Sequence, residues 1–375
     1  MEKTKILYYG FTDNIGGIEK YLINIYRKID KRKYDIKFLI FNDEIPCFYD
    51  EIKNDIIYIT SRRKNYSLFK SELKDVFLNN DFDIVHLNYV DFSCFEPAIY
   101  AKKYSNAKII LHSHIALFKI PSIKTKILNK IGKYILIKND DSFYKVGCSK
   151  LANEYMFKDF KNNKAIVLNN GIDVDEFKFS EKSRVSYREK LCLEDDTVLL
   201  GNVGRMVYQK NQKYLIDILC RLKEKNKKRK YKLLIIGNGP LKDEIIKYSK
   251  YKNVFEDIIF KQDINNIYDY MSAMDLFVFP SNFEGLGIVL IEAQASGLKC
   301  ITSKGLVPEE ANLTGFVQYE DLANLDGWVD YIISNSNFER YDKIPDIKKL
   351  YDINTSVNYL QKFYDSILKD ENNEK

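Results

Sequence analysis

Histidine is nearly missing from this chain: His86, His112 and His114 are the only three in 375 residues, and their spacing matches no recognisable zinc site. Cysteine is sparse and never paired. Cys47, Cys94, Cys148, Cys192, Cys220 and Cys300 stand singly, without a Cys-x-x-Cys. That excludes a disulfide scaffold and points to reduced, buried thiols in a cytoplasmic setting. No uncharged apolar run approaches the length that spans a bilayer, and the opening MEKTKILYYGF is too short in apolar residues for a signal peptide. Charge of one sign is scarce too. The net excess is +6, enough to meet phosphates or an anionic surface without requiring a polyanion. With no zinc finger, RNA-recognition signature or long basic arm, no nucleic-acid partner is expected.

What is present is a chain with 45% apolar residues and a length too great for one ordinary core, so two domains are expected. Short apolar runs alternate with amphipathic stretches. KILYYG, YDIKFLIF, DIIYIT, FDIVHLN, AKIILHSH and YKVGCSK read as strands, and GGIEKYLINIYRKI as a helix with Ile18, Tyr21, Leu22, Ile25 and Ile29 on one face. The rhythm restarts at VLLGNVGRM and runs through YKLLIIGNGP, DIIFKQD, LFVFPS and LKCITS. Strand, helix, strand in this order implies parallel sheets covered on both faces. The fold class is therefore α/β, with two doubly wound Rossmann-like domains facing a central cleft. The expected domains are 1–184 and 185–355, with a closing helix over 356–372 that can pack back on the first. Open parallel sheets bind ligands at the carboxyl ends of their strands, so candidate residues are sought there.

GNVGRMVYQKNQ sets Arg205 and Lys210 in a loop between a strand and a helix. Two cations with this spacing can clamp a diphosphate, Arg by its planar fork and Lys as a point charge, or can be a solvated surface pair. SNFEGLGIVLIEAQASG offers the N–H groups of Gly285, Leu286 and Gly287 at a helix start, where glycine permits close approach and the helix end favours negative charge. Glu284, just outside that helix, also fits as an ordinary helix-start acid. Glu292 lies mid-helix on an apolar background and needs partners. A pair of ribose hydroxyls would serve, and so would an internal salt bridge. Gly16 and Gly17 open the first helix but lack the third glycine of the dinucleotide fingerprint. They allow approach by a phosphate or an acceptor, or make a plain tight turn. His112 and His114 fall on one side of a strand end, where one can meet a sugar hydroxyl or leaving phosphate while the other is structural. Finally, residues 119–138 hold six lysines and no acid, with Ile120, Ile123, Ile127, Ile131 and Ile135 at helical spacing. Such a segment can lie on an anionic membrane or be a surface helix with solvated lysines, the plainer of the two.

In their order, these residues resemble the retaining, nucleotide-sugar-dependent glycosyltransferases of family 4, with the GT-B fold. The resemblance rests on the Gly16–Gly17 turn, NNGID, Arg205 with Lys210, Gly237 in IIGNGP, and above all the Glu284 and Glu292 pair. HSH, GLVPEEANLTGFV and LYDINTSVNYLQKFYDSIL resemble the branch that builds capsular or exopolysaccharide repeats. The resemblance implies that Arg205 and Lys210 neutralise a diphosphate, joined by main-chain N–H groups of Leu286 and Gly287. Glu284 would contact the transferred sugar and Glu292 the ribose. His114, in preference to His112, would face the donor sugar from the first domain. Ile115 stands where the family often has a small or polar residue, and GLVPEE is looser than the usual Gly-x-x-Glu, so Glu309 receives no role.

The implied substrates are a nucleotide sugar, with UDP as carrier by family habit, and a glycan acceptor that is lipid-linked. The implied place is the cytoplasm, at the inner face of the cell membrane. No cofactor is expected beyond the donor itself. With no Asp-x-Asp motif assigned to donor binding, a metal-independent reaction is expected. With no second carboxylate as nucleophile, attack on the same face and retention at the anomeric carbon are expected. Two rivals stay open: a sugar-nucleotide epimerase on the same plan, and a catalytically silent glycan-binding partner of a transferase.

Overall fold

The apolar runs become strands because burial holds them, on both faces in the central strands Ile84–Tyr89, Val198–Val203 and Leu276–Phe279 and only in part at the edge strand Ile56–Ile59. In the computed structural model of the protein, which describes residues 2–13, 15–42, 45–114, 122–162, 164–341 and 344–369, every strand pairing is parallel. The first sheet contains β1 (Thr4–Tyr9), β2 (Tyr34–Phe41), β3 (Ile56–Ile59), β4 (Ile84–Tyr89), β5 (Lys108–Ser113), β6 (Phe143–Gly147) and β7 (Ile166–Val167). Its spatial order is β3-β2-β1-β4-β5-β6-β7. The second contains β8 (Val198–Val203), β9 (Tyr231–Ile236), β10 (Ile258–Lys261), β11 (Leu276–Phe279), β12 (Lys299–Ser303) and β13 (Val317–Glu320), in the order β10-β9-β8-β11-β12-β13. Each order reverses once, between β1 and β4 and between β8 and β11. Those reversals are the switch points where open sheets part to admit ligands.

Alternation along β1 shows how one strand serves two cores. Ile6 and Tyr8 join a cluster with Tyr21, Leu22, Phe38 and Leu360, while Leu7 points the other way into one with Phe69, Leu73, Ala98 and Phe157. In the second sheet, Leu200, Leu233, Val278 and Ile301 close over Leu215, Leu219 and Trp328. A fully buried side chain of this size stabilises by about 1.5–3 kcal/mol, so each cluster can offset much chain entropy.

The chain divides into two compact units, Met1–Gly171 with Ile353–Lys375, and Ile172–Asp352. The divide comes before the 184/185 boundary expected from composition, because the segment after Gly171 is tied to the second sheet. Ser183 Oγ donates to Asp269 at 2.7 Å, Arg184 pairs with Asp275 at 2.7 Å, and Arg188 reaches the same carboxylate at 3.1 Å. The closing helix starts at Ile353, three residues before the expected 356, and runs to Lys369. It buries Ile353, Val357, Leu360, Tyr364 and Ile367 in the first unit's core.

No helix of the described residues is long and apolar enough to cross a membrane. Of the thiols expected to be buried, Cys148 and Cys300 are; Cys192 is exposed in a positive-φ turn, and Cys47, Cys94 and Cys220 are half-buried.

Candidate active site

Two clusters form at the carboxyl ends of the strands, one in each unit. In the second unit, β8 ends at Val203 and the chain turns through Gly204–Asn211 into the helix Gln212–Lys225. β11 ends at Phe279 and turns through residues 280–287 into the helix Ile288–Ala295, with Gly287 at φ 83° as its cap. The side chain of Asn202 donates to the Val278 carbonyl at 2.8 Å and locks the two strands together just below these loops.

The loops are stitched to each other. Asn282 N–H donates to the Gln209 carbonyl at 2.7 Å, and the Asn282 side chain to the Tyr208 carbonyl at 2.7 Å. Gln209 returns its amide to the Phe283 carbonyl at 3.1 Å and to Glu284 Oε2 at 3.3 Å. Lys210 Nζ then meets Glu284 Oε1 at 2.6 Å and lies 4.7 Å from the centre of the Phe279 ring. Glu284 is 5% exposed, so its charge is compensated inside the fold by Lys210. Arg205 is exposed; its carbonyl accepts from Gln212 Nε2 at 3.1 Å, which holds the backbone while leaving the guanidinium outward. Gly237 is required by packing. A Cβ there would stand 2.2 Å from the Gly204 carbonyl oxygen, so only glycine lets the β9 turn pass under the Arg205 loop. Glu292 is 4% exposed within its helix. The hydroxyls of Ser281 and Ser303, at the ends of β11 and β12, are buried and meet no hydrogen-bond partner among the described residues.

The structure thus brings together Lys210, Glu284 and the Arg205 loop, and places Gly285, Leu286 and Gly287 at the start of the helix that carries Glu292. Gln209 and Asn282, which hold the two loops in register, carry no signal in the sequence beyond being polar residues next to singled-out ones.

In the first unit, His114 follows β5. All three histidines stack here. The rings of His112 and His114 are 4.0 Å apart, those of His86 and His112 5.1 Å, and Tyr21 lies 5.2 Å from both His112 and His114. A hydrogen-bonded file runs from His112 Nδ1 to His86 Nε2 at 3.0 Å, from His86 Nδ1 to Tyr364 Oη at 2.7 Å, and on to Tyr8 Oη at 2.7 Å. Burial keeps the rings neutral, drawing His86 and His114 down to about 3 and His112 well below its ordinary range. His112 is tied through Nδ1 to the buried file, and His114 stands at the strand's end.

The Gly16–Gly17 turn opens the helix Gly17–Lys28 as expected, but the Gly16 N–H is already engaged. The buried Glu19 carboxylate folds back, accepting from Thr12 Oγ1 at 2.6 Å and from the backbone of Gly16, Glu19 and Thr12. Burial raises its pKa. Of the two visitors such a turn could admit, a phosphate or an acceptor, an acid in that position disfavours the phosphate, while a neutral hydroxyl can still approach Gly17, next to which a Cβ would meet nothing within 4 Å.

Two Asp-x-Asp spacings do occur, Asp81–Asp83 and Asp173–Asp175, and the fold uses both. Asp83 accepts the N–H of Lys5 at 2.7 Å, Asp173 that of Glu176 at 3.3 Å, and Asp175 pairs with Lys348 at 2.6 Å. No group of three His, Cys, Asp or Glu among the described residues is placed to hold a metal ion.

Of the basic segment, residues 119–121 lie outside the described residues, as does Ile115. The remainder forms the helix Ile123–Lys138. Its buried face is Gly132 and Leu136, with Asn129 Oδ1 accepting from Phe92 N–H at 2.7 Å. The isoleucine stripe is turned outward: Ile123, Ile127, Ile131 and Tyr134 are 78%, 53%, 45% and 59% exposed. Ile135 is half-buried.

Two Rossmann-like parallel sheets, each with a ligand-facing switch point, define the class as the GT-B fold. The chain belongs to the glycosyltransferases of the group 1 and family 4 type: the model for Glycosyltransferase Family 4 matches residues 15–176, and that for Glycosyl transferases group 1 matches residues 183–334. It is similar to the putative glycosyltransferase EpsF of Bacillus subtilis, at 29% identity over 302 residues, covering 78% of this chain and 77% of that one. It is also similar to the UDP-Gal:alpha-D-GlcNAc-diphosphoundecaprenol alpha-1,3-galactosyltransferase of Escherichia coli, at 22% identity over 310 residues, 80% of this chain and 79% of that one. Among solved structures it matches Anabaena Alr3699/HepE in complex with UDP and glucose with a TM-score of 0.77 and 15% identity, covering 97% of this chain and 100% of the other. At that identity the match speaks to the fold alone.

Proposed function

We propose that this protein is a retaining glycosyltransferase that moves a sugar from a UDP donor to a lipid-linked glycan acceptor in capsular or exopolysaccharide synthesis. The observation that carries the reading is the Lys210–Glu284 contact of 2.6 Å at the second sheet's switch point, with Arg205 in the same loop. Paired cations suit a diphosphate and a buried acid suits sugar hydroxyls, which supports a nucleotide-sugar donor at this loop pair. The Escherichia coli relative, whose name pairs UDP-Gal with a diphosphoundecaprenol acceptor, supports the UDP donor and the lipid-linked acceptor.

In this reading Arg205 and Lys210 meet the diphosphate together with the N–H groups of Gly285, Leu286 and Gly287, and Gly237 keeps the loop close to it. Glu284, released in part from Lys210, grips hydroxyls of the sugar, and Glu292 holds the ribose. His114 contacts the sugar from the first unit, and Gly16 and Gly17 admit the neutral acceptor. As the bond from the anomeric carbon to the phosphate oxygen breaks, negative charge grows on the diphosphate, and preorganised cations and N–H donors lower its energy most at that moment. The acceptor oxygen bonds to the same face, its proton passes to the departing phosphate oxygen, and UDP leaves. The donor is a substrate and no cofactor takes part. The outward isoleucines of Ile123–Lys138, flanked by Lys124, Lys126 and Lys130, lie against the anionic inner face of the cell membrane, next to the lipid-linked acceptor.

A panel of nucleotide sugars, read by donor hydrolysis and thermal shift, tests the proposal. A response to one or two UDP-sugars is expected. A response only to donors on another carrier, or to none, overturns the UDP assignment.

A further inference from the structure

Asn88 carries no sequence signal, yet its amide is fully engaged. It lies next to last in β4 and is 3% exposed. Its Nδ2 donates to the Tyr9 carbonyl at 2.9 Å and to the His86 carbonyl at 3.4 Å. Carbonyl oxygens only accept, so these two contacts fix which end of the amide is NH2 and which is oxygen. The remaining end, Oδ1, lies 2.8 Å from His114 Nε2. An amide oxygen has no proton to give, so the proton of this hydrogen bond belongs to Nε2. A neutral imidazole carries one N–H. Nδ1 of His114 is therefore a bare acceptor, and it is buried with no hydrogen-bond partner among the described residues. Leaving such an acceptor unmet is unfavourable, and a ligand hydroxyl would relieve it.

The other two histidines belong to a separate network. Of the two directions that the file from Tyr8 to His112 can take, one uses both tyrosyl protons. In it Tyr8 donates to Tyr364, Tyr364 to His86 Nδ1, and His86 Nε2–H to His112 Nδ1. That direction leaves only one of the file's protons, the His112 Nε2–H, unmet among the described residues, whereas the reverse strands the Tyr8 proton and leaves His112 Nε2 a bare acceptor, so the first is favoured. No bond of that file reaches His114, which depends on Asn88 alone for its tautomer. The packing makes room for this arrangement: Gly10 has φ 110°, and a Cβ there would stand 2.6 Å from the Asn88 carbonyl oxygen.

We propose that Asn88 is a positioning residue that locks His114 as its Nε2–H tautomer, committing the ring to accept, through Nδ1, a hydrogen bond from a hydroxyl of the bound sugar. The second half rests on the reading of His114 as a donor-sugar contact; the lock itself does not. Three histidines make the test tractable, since protein labelled with ¹⁵N-histidine gives three sets of ring signals, assigned with His114→Gln and His112→Gln. At pH 7 the wild type should show His114 with Nε2 at the protonated and Nδ1 at the unprotonated frequency. Asn88→Leu should move the His114 signals toward an exchanging mixture, whereas Tyr364→Phe should move His86 and His112 and leave His114 in place. With UDP-glucose and UDP-galactose as probes, Asn88→Leu should lower kcat/KM by about tenfold, the loss of one oriented hydrogen bond. A wild-type His114 protonated on Nδ1, or on both nitrogens, overturns the lock, and that spectrum needs no variant to fold. A correct tautomer with undiminished turnover in Asn88→Leu overturns the sugar contact. A correct tautomer with no turnover of either probe by the wild type tells against the transferase reading and leaves the lock standing.

Discussion

The two strand-end clusters are built with opposite chemistry. Around His114 the groups are uncharged: three neutral imidazoles, the Asn88 amide and Tyr21. Around Lys210 the groups are ionic, with a lysine on a buried glutamate and an exposed arginine. Neutral, rigidly oriented groups discriminate hydroxyls by geometry. Charged groups on loops stabilise charge that changes during a reaction. The contrast teaches that one chain can hold two strand-end clusters suited to different chemistry, a neutral one fit to orient hydroxyls and an ionic one fit to meet phosphate.

The largest effect should come from the charged cluster. Lys210→Ala should lower kcat/KM with the best UDP-sugar by about 10²–10³-fold while circular dichroism stays native, a loss expected for a group aimed at a developing oxyanion. His114→Ala should cost far less. Equal losses would erase the division between the clusters.

Acid sharpens the contrast next. The folded pKa values of the histidines are depressed, so above about 6.5 both folded and unfolded states hold them neutral and nothing is lost. Below that the unfolded state takes up protons first, and stability declines as pH falls toward about 3, by at most about 1.4 kcal/mol per histidine per pH unit. Hydrogen exchange compared at pH 6.5 and 5 should therefore show β4 and β5 weakening while β8 and β11 hold. Parallel weakening in both would break the account of the stack.

A smaller effect belongs to the outward face of Ile123–Lys138. Lys124→Gln with Lys130→Gln should weaken binding to anionic liposomes by about tenfold or more, each lysine contributing about 1 kcal/mol near the surface, and salt should do the same. Salt-independent binding, or none, retires the membrane contact. The least effect is expected of a chelator: turnover should survive it unchanged, and abolition with rescue by manganese would show that the cations of the second unit do not suffice.

Much of this was legible before any coordinates. The apolar runs of β1, β4, β5, β8 and β11 announce parallel strands buried on both faces, and the acid pair beside Gly285 and Gly287 marks a strand-to-helix turn. Two strands were not seen, β7 at Ile166–Val167 and β13 at Val317–Glu320, because two residues or a half-polar run give no periodicity to read. Helical spacing revealed the isoleucine stripe but not which way it points. That is decided by Gly132, where a Cβ would stand 2.0 Å from the Phe92 carbonyl, so this side must face inward. Glu19 was hidden among apolar neighbours, and its claim on the Gly16 N–H depends on how the side chain folds back. The His86–Tyr364 bond spans 278 positions, beyond any local pattern. Asn88 closes the run FDIVHLN without further signal, and only the carbonyls of Tyr9 and His86 show why an amide is needed there.

Calorimetric titration with UDP alone reaches the central claim most directly, since UDP carries the diphosphate and ribose but no sugar. Wild type and Asn88→Leu should bind it with the same affinity, and Lys210→Ala at least about tenfold more weakly, as expected for loss of a charge-assisted contact. Equal binding by Lys210→Ala and wild type would contradict the claim that the second unit's cations hold the phosphate.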